Sequence, residues 1–316
     1  MKSTTVRRVT LSIAALTALT AVAACNSADS PNSSGRSGNS GTGDQGSGGT
    51  SGGGSARLSP MAALRTAEKS TDAADSAKVE STTTMGSLMS MTADGALGWG
   101  DGLSGTLTIT YTGGTIADTM RRLGSTSMEA RYLPDAYYAR MGEKFAAQTG
   151  GKHWIRYPYD ELEALGGSSG AYLKDQMQNT TPNQSVKLLL ASGDVRKTGT
   201  EKVRGEDTTH YSGTVDVAEL TGANSGLDKS KLADLKKQLE QAGVTTETVD
   251  IWVNDRNLLV KKVEKGRMTT GELTQTAYYS DYGVRVSAEE PPAGDTEDFT
   301  ALMRQQGATG GTGATS

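Results

Sequence analysis

The chain has one cysteine, two histidines and two phenylalanines in 316 residues. With Cys25 alone, no disulfide can close within the chain. His153 and His210 are far apart in sequence, so a transition-metal site would rest on carboxylates. No metal or other cofactor is expected. There is no Asp-x-Asp-x-Asp-Gly loop for calcium. Ser-x-x-Lys is missing, and no nucleophile elbow, a Gly-x-Ser-x-Gly turn between a strand and a helix, is expected. The common serine-acylation arrangements are thereby removed, and a non-enzyme is expected. Basic charge is also short. Setting aside residues 1–24, 29 Lys and Arg face 36 Asp and Glu, a net of −7. Nucleic acid is therefore not an expected partner, nor is an anionic membrane face, since both call for a basic patch.

The longest apolar run, Leu11 to Ala24, falls short of the roughly 20 residues that span a bilayer. It follows Lys2, Arg7 and Arg8, which is the layout of an export signal. The run ends in Val22-Ala23-Ala24-Cys25, which resembles the lipobox of bacterial lipoproteins. That resemblance implies diacylglycerol on the Cys25 thiol and cleavage between Ala24 and Cys25. It places the protein on the extracytoplasmic face of the cell membrane, lipid-anchored. It also accounts for the solitary cysteine, because an unpaired exposed thiol is otherwise a liability.

Residues 25–57 continue from the lipidated cysteine as a Gly, Ser, Asn and Thr tether with too little apolar surface to fold. A similar tail closes the chain at 307–316. The folded part is expected at 58–306, without a second linker or an internal repeat, and as a monomer. Ser59-Pro60 reads as a helix cap followed by proline in the first turn, opening a helix near 60–76. From Val79 the period changes to two. Val79, Met85, Met89 and Met91 fall on one face; Glu80, Thr82 and Thr84 fall on the other. Residues 106–111, 210–217, 250–253 and 282–286 alternate likewise, which predicts antiparallel strands with one dry face. Asn254 to Asn257 predicts the turn of a hairpin joining 246–253 to 258–266. Further helices are predicted at 185–191, near 171–178 and at 228–242, the last presenting Leu232, Leu235 and Leu239.

The segment SVKLLLASGDVRKTGTEKVRGEDTTHYSGTVDVAEL from Ser185, then VDIWVNDRNLLVKKVEKG and YYSDYGVRVSAEEPP, resembles the actinobacterial LppX/LprG-type envelope lipoproteins. That family has the LolA-like half-barrel, and the matching stretch covers about 185–292. The resemblance implies an α+β fold: a strongly curved antiparallel sheet with helices packed on its concave face. It also implies carriage of a lipid or lipoglycan, with acyl chains between sheet and helices. It transfers no catalytic residue. The candidate lining comes from the residues themselves: Met85, Met89, Met91, Leu107, Ile109, Val215, Val217, Val249, Ile251, Val253, Leu232, Leu235 and Leu239. Methionines adapt to irregular apolar ligands, yet they also fill cores that lack phenylalanine, and core is the default. The rival expectation is an envelope interaction or sensor protein with a closed core, using a strand edge or the Trp252 face. A hydrolase survives only if a histidine is buried beside a carboxylate. The tyrosines around Pro134 and Pro158 read as a structural cluster or as loops at a cavity mouth.

Overall fold

The computed structural model describes residues 59–166, 181–220, 244–268 and 271–310, with 233, 236 and 237. Residues 1–58, with Cys25 and the tether, lie outside the described residues, as do the expected helix near 171–178 and most of that at 228–242.

The described fold starts with helix α1 (Pro60–Asp72) and the strands β1 (Ser76–Met85), β2 (Met89–Gly98) and β3 (Ser104–Gly113). Helix α2 (Gly114–Leu123), β4 (Ser127–Tyr132), β5 (Ala136–Arg140), a short α3 (Glu143–Ala146), β6 (Trp154–Pro158) and α4 (Tyr159–Gly166) follow. Then come α5 (Asn183–Ser192), β7 (Arg196–Val203), β8 (Glu206–Asp216), β9 (Thr246–Asn254), β10 (Leu259–Met268) and β11 (Gly271–Ser280). A short β12 (Thr296–Asp298) and helix α6 (Phe299–Gly310) end the described fold. The twelve described strands form one open sheet, ordered β12-β6-β5-β4-β3-β2-β1-β11-β10-β9-β8-β7. It is a large curved sheet with helices on its concave face, the α+β architecture expected.

Local chemistry explains the main boundaries. The Ser59 hydroxyl accepts from the Ala62 N–H at 3.2 Å and Pro60 follows. Leu64, Ala67 and Thr71 form the buried stripe of α1. The helix stops at Asp72, four residues before its expected end, because Asp75 turns left-handed (φ 60°) and Ser76 enters β1. Helix α5 ends at Gly193, whose φ of 74° suits a residue without Cβ. Between β9 and β10 the Asn254 side chain accepts from the N–H groups of Arg256 and Leu258, both at 3.0 Å. Asn257 takes φ 58°, and the expected hairpin forms.

Three expectations are corrected. Tyr282 to Val286 is not a strand. Asp281 (φ 47°) and Gly283 (φ 78°) lead the chain out of the sheet after Ser280. It then crosses the outer face as an extended strap. The Ser76 hydroxyl donates to the Val284 carbonyl at 2.7 Å, and Arg131 donates to the Glu289 carbonyl at 3.0 Å. The alternation of Val284 and Val286 is real, but it reflects packing of one side without ladder hydrogen bonds. The strap delivers β12 parallel to β6, so the sheet is mixed rather than wholly antiparallel. Helix α2, which lies outside every segment predicted to be helical, opens at Gly114 after the Gly113 cap, has no lysine in its first turn and buries only Ala117 and Met120.

Candidate functional site

Cross-strand register puts the site's side chains in rows. On the inner face, Glu247, Gly266, Leu273, Met85 and Met89 form one row across β9, β10, β11, β1 and β2. The next row is Val249, Glu264, Gln275, Thr83, Met91 and Tyr111. The third holds Tyr211, Ile251, Lys262, Ala277, Ser81, Ala93 and Ile109. Thus Met85, Met89, Met91, Ile109, Val249 and Ile251 share a face. Register adds Leu107 (opposite Ala130), Val215 and Val253 to it. Val217 is buried just past β8, its N–H donating to the Thr245 carbonyl at 3.1 Å. Leu232, Leu235 and Leu239 lie outside the described residues.

These positions are not equivalent. Val215, Val249 and Ile251 are fully buried under α5. A Cβ added at Gly213 would stand 2.7 Å from Leu189 Cδ1. That side is sealed core. Met85, Met89, Met91 and Leu273 are only half-buried. Between the two groups stand polar residues of β10 and β11 that the sequence reading missed. The Lys262 ammonium donates to Ser185 Oγ at 2.7 Å and to Glu264 Oε2 at 3.1 Å. Burial opposes its charge, but Glu264, Tyr279 and Glu247 outweigh that and hold the amine above its usual range. Glu247 is pushed up to about 8, first by burial and then by Glu264, with Lys262 opposing. Burial thus favours its neutral form. The missed signal was parity. In Lys262-Val263-Glu264 the apolar residue points outward, against Trp252, Val203, Val260 and Tyr278.

At the end of β9, β10 and β11 a cavity of about 420 Å³ is lined by residues of all three strands, among them Thr246, Lys265, Gly266, Arg267, Glu272 and Leu273. Gly266 and Leu273 belong to the methionine row, so the cavity and the half-buried apolar surface adjoin.

Elsewhere the side chains are structural. Tyr132, Tyr137, Tyr157 and Phe299 meet in sequence, the first pair edge-to-face and the next two tilted, with centroids 5.1, 5.6 and 4.7 Å apart, filling the inner face beneath α6. Trp252 is buried on the outer face, stacked on His210 at 4.1 Å and capped by Lys261 at 4.0 Å. That covered ring is a poor contact surface. His210 Nε2 meets Asp250 at 2.9 Å. His153 meets Asp295 at 2.7 Å and Glu143 at 3.3 Å. Both imidazoles therefore pair with carboxylates, and both are partly exposed. Among the described residues no metal-binding cluster gathers, and no helix is long and apolar enough to cross a membrane.

The His153–Asp295 pair latches the strap to the edge of β6. Bonds to Asp295 and then Glu143 raise the imidazole's pKa above its usual 6.5. A raised pKa gives stability that is complete below 6.5 and fades as pH rises past the folded value. The bond to His153 lowers Asp295 from 3.8, so its contribution is lost as pH falls below that value. His153→Gln is therefore expected to flatten the fall in melting temperature above pH 6.5. An unchanged pH profile would mean the latch contributes nothing.

No family model matches the chain. It is 59% identical over 257 residues to an uncharacterized 31.2 kDa Streptomyces griseus protein encoded between rplA and rplJ, covering 81% of this chain and 84% of that one. It is 61% identical over 245 residues to a Streptomyces coelicolor protein described as a lipoprotein, covering 78% and 77%. The chain belongs to their family. Among solved structures, this family member is similar to the Mycobacterium tuberculosis lipoprotein LppX: 15% identity, TM-score 0.46, 73% of this chain and 98% of that one. It is also similar to LprF from Mycobacterium bovis: 15% identity, TM-score 0.45, 74% and 97%.

Proposed function

We propose that the protein is a membrane-anchored extracytoplasmic lipoprotein, cleaved after Ala24 and lipidated on Cys25, that holds an acyl chain of a lipid or lipoglycan. The chain would lie on the inner sheet face across Met85, Met89, Met91 and Leu273. One observation carries this reading. The β8–β9 part of the inner face is sealed under α5, whereas this apolar patch is half-buried and adjoins a cavity of about 420 Å³. Unbranched methionines conform to a flexible chain. Each methylene removed from water contributes about 0.8 kcal/mol, so a few turns of chain give useful affinity. The sealed Val215–Val249–Ile251 group then serves as core, which narrows the expected lining to the β11–β1–β2 side.

The test is saturable uptake of a fluorescent acyl probe, with organic extraction of the purified protein for retained lipid. Met85→Asp with Met89→Asp is expected to weaken the probe about tenfold, as if two buried methylenes were lost, with the melting temperature little changed. A protein that takes up no probe and carries no lipid would leave the closed-core interaction protein as the better reading.

A further inference from the structure

The inner-facing positions of β9, β10, β11 and β1 carry three charged side chains: Glu247 on β9, with Lys262 and Glu264 on β10. Two carboxyls thus share one ammonium. That ammonium donates to Glu264 Oε2 at 3.1 Å and to Ser185 Oγ at 2.7 Å. Glu247 lies diagonally from Glu264 across β9 and β10 and is only 5% exposed. Among the described residues no hydrogen-bond donor reaches its carboxyl, and Lys262 acts on it through charge alone. A buried acid without a donor is costly until something supplies one. Neighbouring positions lead from this acid to the apolar patch. Val244 covers Gly266, so the connection runs through the next row rather than along that of Glu247. Glu264 stands opposite Gln275, and Gln275 stands opposite Thr83, to which its amide donates at 3.2 Å. Leu273 and Met85 are the next inner-facing residues on those two strands. Glu264, Gln275, Leu273 and Met85 are all partly exposed. One face therefore sets two carboxyls with a single cation beside an apolar patch. A positively charged, donor-bearing group on an acyl chain satisfies both.

Building on the acyl-chain reading above, we infer that the ligand class is an acyl amphiphile with an amine-bearing head. Its ammonium is held between Glu247 and Glu264, and its chain runs over Leu273, Met85 and Met89. Lys262 occupies one side of Glu264 along the face and Glu247 stands on the other, so the arriving ammonium takes the side the lysine leaves open. It brings three donors and a compact charge to carboxyls that lack them. An anionic head would instead add another negative group beside Glu264. Burial pushes Glu247 up to about 8, so the ammonium draws off its proton on binding and the proton passes to solvent. The titratable groups facing Glu247 are Glu264, which raises it further, and Lys262, which opposes. Tyr279 of β11 acts on Lys262 in turn.

The experiment uses the full-length chain produced without lipidation and two fluorescent probes of equal chain length, a long-chain primary amine and the matching alcohol. At pH 8 the amine is expected to bind about tenfold more tightly, the effect of one charge-assisted hydrogen bond. The advantage fades toward pH 6, where Glu247 keeps its proton. Added salt changes it little, because a buried pair is screened less than an exposed one. Glu247→Gln is expected to abolish the advantage and leave the alcohol's affinity unchanged. The amide keeps the acid's shape, a melting curve reports the fold, and the pH and salt readouts on the unmodified chain stand without the variant. Equal binding of amine and alcohol by the unmodified chain overturns the head assignment but keeps the acyl-chain reading. An amine advantage that survives Glu247→Gln, or vanishes with salt, is attraction to the acidic surface and overturns the assignment too. Failure of both probes overturns the acyl-chain reading and this inference with it. A parallel titration with a short alkylamine separates the sources. Binding of that amine that needs Glu247, without uptake of either long probe, makes this a small-cation site and overturns the lipid class.

Discussion

Replacing Lys262 with methionine is expected to destabilise the protein by about 3–5 kcal/mol, the usual cost of removing one partner of a buried ion pair. The ammonium is buried on the inner face with Glu264 at 3.1 Å and Ser185 at 2.7 Å, and Glu247 stands on the same face. Without it, the buried Glu247 and the partly buried Glu264 are left as diagonal neighbours with no cation between them, and a serine hydroxyl loses its donor. The loss should shrink as pH falls, because Lys262 opposes the raised pKa of buried Glu247 and its removal lets that carboxyl stay protonated over a wider range. The sign follows from linkage: a carboxyl raised in the fold stabilises at low pH and loses that contribution as pH rises. Lys262→Met with Glu264→Leu removes the charge and its partner together. That double variant should recover much of the stability, since apolar replacement of a whole buried pair is often neutral. Urea denaturation with an unchanged m-value reads both effects as shifts of the midpoint. A single-variant loss below about 1 kcal/mol, within the range of an exposed ion pair, would mean the pair is solvated.

The second large effect is expected at Gly213, where alanine should cost about 3 kcal/mol, at the upper end of overpacking penalties. An added Cβ would lie 1.7 Å from the Asp194 carbonyl and 2.7 Å from Leu189 Cδ1. The first obstacle is backbone, so no rotamer change relieves it. The Asp194 loop and the end of α5 must lift from β8, exposing Val215 and Val249. The matching control is Gly199→Ala on the exposed edge strand β7, where nothing stands within 4 Å of the new atom. A thermal melt that ranks the two substitutions equally would remove α5 as the seal over this part of the sheet.

The sequence made the strands legible wherever one face is dry. Val79, Met85, Met89 and Met91 do share a face, and Ile251 and Val253 do oppose Trp252. The caps at Ser59 and Gly193 and the turn at Asn254 were also readable, because each is a local hydrogen-bond or φ requirement. Less local facts were not. Val284 and Val286 alternate like a strand, and only the left-handed Asp281 and Gly283 carry them out of the sheet. The ten residues of α2 bury two side chains, too few for a readable stripe. The candidate lining was assembled by parity within each strand, which finds the inner face but not its neighbours. Met85 pairs with Leu273 across 188 positions of chain, and nothing local says that Lys262 and Glu264 stand between the methionines and Ile251. The Lys262-Val263-Glu264 inversion was visible as alternation. It was unreadable as polarity, because charged residues on the dry face need partners that only the fold supplies.

The central claim is that an acyl chain lies over Met85, Met89, Met91 and Leu273. The most direct measurement is photocrosslinking with a diazirine placed midway along an acyl probe, followed by peptide mapping. Adducts concentrated on residues 85–91 and 271–275, and competed away by unlabelled lipid, are the expected result. Adducts confined to the outer face around Trp252, or spread without competition, would contradict it.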